Sequence, residues 1–124
     1  MSCYRGLLGS RKEKFVERII NLTLSPINVY EDSSGRIFHY DFCKAPVVVF
    51  EEAENDKTDL RSKIYVVDQD LLTYFQEWGY PLDDVAIVES KSPGRHGKEI
   101  SRLSLVTDPD VYVRLRVSSM PTPA

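Results

Sequence analysis

Ile20-Asn21-Leu22-Thr23-Leu24-Ser25-Pro26-Ile27-Asn28-Val29-Tyr30 reads as strand, turn, strand. Ile19–Thr23 and Ile27–Glu31 are rich in β-formers, and Ser25-Pro26 sits between them. Proline has no N–H to give a ladder, so it belongs at the corner. Downstream, Asp32-Ser33-Ser34-Gly35 has the composition of a hairpin loop, with Gly35 free to take positive φ. Arg36–Cys43 then alternates, with Ile37, His39, Asp41 and Cys43 on one side and Phe38, Tyr40 and Phe42 on the other. The aromatic side is expected in the core.

Further along, Pro46 interrupts, and Val47–Glu51 reads as another strand. Glu52–Asp59 is an acidic run expected as a surface loop, and Lys63–Val67 is a strand. Asp68 is a good N-cap for a helix to Trp78, with Leu71, Leu72, Phe75 and Trp78 as its apolar stripe and Gly79 as its stop. Val85–Glu89, Ile100–Thr107 and Val111–Val117 return to strand. Upstream of Ile19 the pattern is ambiguous: residues 11–20 fit a helix or a strand. The predicted fold is α+β and mainly β. It has an antiparallel sheet of about six to eight strands, partly barrelled or sandwiched, with one packed helix near 68–78. The predicted organisation is a flexible terminus over 1–12, one domain over 13–117 and a disordered tail over 118–124.

The chain has 124 residues and a formal net charge of −3, which argues against general nucleic-acid affinity. Charge is segregated. Residues 1–20 hold five Lys/Arg and two Glu, residues 31–89 five Lys/Arg and fourteen Asp/Glu, and residues 90–124 six Lys/Arg and three Asp/Glu. Arg5, Arg11, Lys12 and Lys14 leave no room for a secretory leader, and no apolar run spans a bilayer, so a cytoplasmic protein is expected. Cys3 and Cys43 are expected as free thiols.

Chemistry is sparse. His39, Asp41 and Cys43 share a strand face by spacing, but neighbours two apart lie roughly 6.5–7 Å from each other. A thiol enzyme built on His39 and Cys43 is therefore a rival reading, and the polar face of a half-buried strand is the expected one. Asp68/Asp70, Asp83/Asp84 and Asp108/Asp110 read as caps and turns, so neither metal nor cofactor is expected. Ser92–Lys98 is the best anion candidate: two glycines let backbone N–H groups approach, and Arg95, His96 and Lys98, with Arg102 beyond, supply charge. Arg114 and Arg116 would enlarge that patch. Trp78 is expected in the core and Tyr74 off the main stripe. Glu51, Glu52, Glu54 and Tyr74 are the candidate protein-contact residues.

Asn21-Leu22-Thr23, followed by Ile27-Asn28-Val29-Tyr30, resembles the Asn-Leu-Thr-Pro-His entry of short bacteriophage and prophage proteins. Leu24-Ser25-Pro26 stands where Pro-His is expected, so no role for that histidine carries over. The resemblance implies an accessory phage product in a bacterial host cytosol, of the kind that blocks a host protein or sequesters a signalling nucleotide. Three functional expectations follow: a non-enzymatic inhibitor acting by protein contact, a binder of a nucleotide or other small anion, and a structural virion component. Exposed sheet edges would allow homo-oligomers.

Overall fold

The computed structural model describes residues 12–117. The expectations for 1–11 and 118–124 lie outside the described residues; Lys12 begins the first strand.

Eight strands and two α-helices make up the described chain. The strands are β1 (Lys12–Val16), β2 (Arg18–Asn21), β3 (Ile27–Tyr30), β4 (Ile37–Tyr40), β5 (Lys63–Val66), β6 (Val85–Pro93), β7 (Glu99–Leu105) and β8 (Val111–Leu115). The helices are α1 (Pro46–Asn55) and α2 (Gln69–Glu77). Six strands form one sheet in the order β1-β8-β7-β6-β5-β2, and β3 and β4 form a separate hairpin. The mainly-β α+β class is as expected. The sheet is mixed: β1/β8, β2/β5 and β5/β6 are parallel, β6/β7 and β7/β8 antiparallel.

Chain connectivity forces the sheet to roll. β1 and β2 are its two edges, yet only Glu17 separates them. Six flat strands would put those edges roughly 24 Å apart at about 4.8 Å per spacing. One residue reaches only about 7 Å between its neighbours. The sheet therefore curls until its edges nearly meet, giving an almost closed barrel. The ambiguous stretch upstream of Ile19 is strand, and it supplies both edges.

Alternation on β5 divides the core. Ile64 and Val66 face Val29, Leu103 and Leu115, under the β3–β4 hairpin. Tyr65 and Val67 face Phe50, Leu72 and Phe75 of the helices. Burial on both faces explains why this strand is apolar without alternation.

Val47–Glu51 is not a strand but the body of α1, and Glu52–Asn55, the first part of the expected loop, is its last turn. Pro46 occupies the first turn, where its fixed φ helps and its missing N–H costs nothing. β-branched residues disfavour helix by only a few tenths of a kcal/mol each. Burying one phenyl ring is worth about 1.5–3 kcal/mol. Phe50 gains this by packing 4.8 Å from both Tyr65 and Phe75. α2 follows the prediction: the Asp68 carboxylate accepts from the Leu71 N–H at 2.9 Å, and Gly79 takes φ +71°.

The hairpin loop is tied down by a buried carboxylate. Glu31 is 3% exposed and accepts from Ser33 Oγ (2.9 Å), the Ser34 N–H (2.7 Å) and the Val117 N–H (3.1 Å). These donors, Ser34 foremost and then Ser33, hold its pKa at about 2. No helix among the described residues is long and apolar enough to cross a membrane.

Candidate functional site

β7 and β8 touch at one ladder position, Ser104 opposite Tyr112, and then part. Beyond it β8 takes a new neighbour: Glu31 bridges Leu115 in parallel, and the Asp32 N–H donates to the Leu115 carbonyl at 2.7 Å. β3 meanwhile leans on the start of β7, where Asn28 Nδ2 donates to the Glu99 carbonyl at 2.9 Å. The wedge left between the strands is a cleft of about 600 Å³. Tyr30, Ser92, Ser101, Arg102, Tyr112 and Arg114 are among its lining residues.

The two arginines of the cleft differ in their partners. Arg114 is neutralised: it donates to Glu13 Oε2 at 2.6 Å and to Asp32 Oδ1. Arg116 also pairs with Asp32, at 2.7 Å, and covers the Phe15 ring. The Arg116 hydrogen bond, and then the charges of Arg114 and Arg116, pull the Asp32 carboxyl below its usual range. Arg102 has no carboxylate partner among the described residues. Its guanidinium lies over the Tyr112 ring, 4.9 Å from the centroid. Stacking leaves the edge of a guanidinium, where its N–H donors are, open to an acceptor. Ser101, 5% exposed, has no side-chain hydrogen bond among the described residues, and a buried hydroxyl without a partner is costly.

The four anion-candidate residues separate. Arg102 lines the cleft. Arg95 is a clamp: its Nη2 donates to the Gly35 carbonyl at 2.7 Å, its ring partner is Tyr30 at 5.4 Å, and its N–H donates to Tyr30 Oη. That last bond is the main cause of a lowered Tyr30 pKa. Arg95 thus stands beside an aromatic ring of the cleft without lining it. His96, at φ 61°, and Lys98 lie exposed on the β6–β7 turn, away from the cleft lining.

The acidic candidates sit on the helical layer. Glu51 and Glu52 are exposed on α1. Glu54 is engaged, accepting from Tyr65 Oη at 2.6 Å beside Lys63 at 3.7 Å. Burial, and then this bond, push the Tyr65 phenol far above its usual pKa. Tyr74 is half-buried, in a row with Trp78 (5.8 Å) and Tyr80 (6.3 Å). Trp78 is not in the core: it is 67% exposed, because the helix ends at it. The Gly79 stop was visible in the sequence, but not that the stripe outruns its packing partner there.

His39, Asp41 and Cys43 do not share a face. β4 ends at Tyr40, so the alternation does not reach them all. His39 Nδ1 meets Asn28 Oδ1 at 2.8 Å, the Asp41 carboxylate accepts from the Phe42 N–H, and Cys43 is a buried free thiol under the helices. Phe42, expected in the core, is 45% exposed beneath Lys44.

A second pocket of about 330 Å³ lies between the Ser25-Pro26 turn and the start of α2. Its Thr23 and Asp68 side chains already serve the turn and the cap.

Comparison with protein-family models, with curated proteins and with solved structures finds no match to this chain.

Proposed function

We propose that this protein is a non-enzymatic binder of a small anionic molecule with an aromatic ring, of the nucleotide class, and that the β7–β8 cleft is its site. The observation that carries this reading is Arg102: a guanidinium stacked on Tyr112, facing a cleft, with no carboxylate partner among the described residues. A phosphate or carboxylate would take its N–H fork bidentately. Tyr30 adds an aromatic ring to the lining for a base, and Ser101 offers a buried hydroxyl. Binding is favoured over catalysis because the charged groups lining the cleft are Arg102, Arg114 and a Glu13 committed to Arg114. Arginines hold their protons and are poor acid–base catalysts. With the Asn21-Leu22-Thr23 resemblance to phage proteins, such a site suits a cytoplasmic accessory protein that sequesters a signalling nucleotide.

Thermal denaturation with a panel of ribonucleoside mono-, di- and triphosphates and of cyclic nucleotides tests the proposal. A ligand at a hundred times its Kd adds about 2.7 kcal/mol, which moves the melting point by several degrees. At least one member should do so with the native chain and not with Arg102→Ala. A panel without effect, or an equal shift in Arg102→Ala, would overturn the assignment.

A further inference from the structure

The helical layer carries the opposite chemistry. α1 contributes Glu51, Glu52 and Glu54, α2 contributes Asp70 and Glu77, and neither helix contains a Lys or Arg. Neither has a basic residue in its last turn; Lys57 Nζ donates to the Glu54 carbonyl at the end of α1, at 3.3 Å, which leaves the end of α2 as the one with no cation on its carbonyls among the described residues. At the end of α2 lies the aromatic row: Trp78, 67% exposed, then Tyr74 at 5.8 Å, then Tyr80 at 6.3 Å from Tyr74. Phe50 of α1 packs 5.3 Å from Tyr80, which brings the two helices together under the row. Glu51, exposed, follows Phe50 on α1, so it stands one residue from a ring that packs on Tyr80.

We infer that the Trp78–Tyr74–Tyr80 row, with Glu51 and Glu52, is a docking surface for a Lys/Arg-rich segment of another protein. Two features choose this occupant. Acidic side chains and the negative end of α2, of one sign, attract cations and repel anions. An exposed indole is the best cation–π partner among side chains, and such aromatic anchors dominate binding where they occur at interfaces. An apolar partner would leave Glu51 and Glu52 desolvated and unpaired, a cost that a cationic one removes. This surface is separate from the cleft and does not depend on the ligand proposed there.

Trp78 is the sole tryptophan of the chain, so its emission reports on this surface directly. The experiment titrates a nona-arginine peptide into the full-length protein, following Trp78 emission and the anisotropy of the dye-labelled peptide. Emission should change saturably, and a nona-glutamate control should have no effect. Trp78→Ala and the Glu51→Lys/Glu52→Lys pair should each weaken binding by at least about tenfold. Asp108→Lys/Asp110→Lys, which alters net charge equally in the β7–β8 turn, should leave affinity within about twofold. Unchanged affinity in Trp78→Ala would mean attraction by net charge alone, and equal loss in the Asp108/Asp110 pair would mean the same. A concentration-dependent shift in Trp78 emission without peptide would give the surface to a second copy of the chain. Each of these results overturns the inference.

Discussion

The β2–β5–β6 half of the sheet and the β7–β8 seam are built from similar strands and end differently. In the first, parallel ladders run through consecutive positions, and both faces of β5 are sealed by the hairpin and the helices. In the second, one ladder position is followed by a change of partner, and the space left is a cleft with an arginine that has no carboxylate partner among the described residues. The difference teaches that Glu31 and Asp32 decide where the sheet opens. By engaging the end of β8 they take the place that β7 would fill. Stability is concentrated in the closed half, and the cleft proposed to bind a small anion lies in the open one.

The largest expected effect breaks the closed half. Phe75 is fully buried against Phe50 and Tyr80. Phe75→Ala should cost about 3–5 kcal/mol, read from chemical denaturation. A loss under about 1 kcal/mol would show that this half is not the stabilising one.

Acid should act next, at the junction of the two halves. Glu31 has a pKa of about 2 in the fold against 4.5 unperturbed. Its folded pKa is depressed, so its contribution is complete above about pH 4.5 and is lost as pH falls toward 2. Asp32 and Asp59 are shifted in the same direction. The native chain should therefore lose stability across that window, and Glu31→Gln should lose less across it. Parallel pH profiles would show that the carboxylate does not hold the junction.

The smallest effect on stability belongs to the open half. Arg102→Ala removes one exposed cation–π contact, so the unliganded protein should stay within about 1 kcal/mol of the native chain. Its cost should appear only with ligand present. A large loss without ligand would make Arg102 a structural residue.

Much of the closed half was legible. The Ser25-Pro26 corner, the Gly35 loop, and the Asp68 cap with its Gly79 stop are local chemistry, and each stands where its residues put it. Two errors share one cause, tertiary packing. Val47-Val48-Val49 has strand propensity, but Phe50 needed a helix to reach Tyr65 and Phe75. Trp78 fits the stripe of α2, but it stands at the C-cap, past the last helical turn, and stays 67% exposed. The cleft was legible only as a list of basic residues. Which of Arg95, Arg102, Arg114 and Arg116 finds a carboxylate depends on Asp32 and Glu13, distant in sequence and joined by the roll of the sheet.

The most direct measurement is a backbone-amide NMR titration of the native chain with the mixed nucleotide panel. The account predicts saturable shifts concentrated at Ile100–Arg102 and Tyr112–Arg114, absent in Arg102→Ala. Shifts confined to the Arg95–Lys98 turn, or no shifts at all, would contradict it.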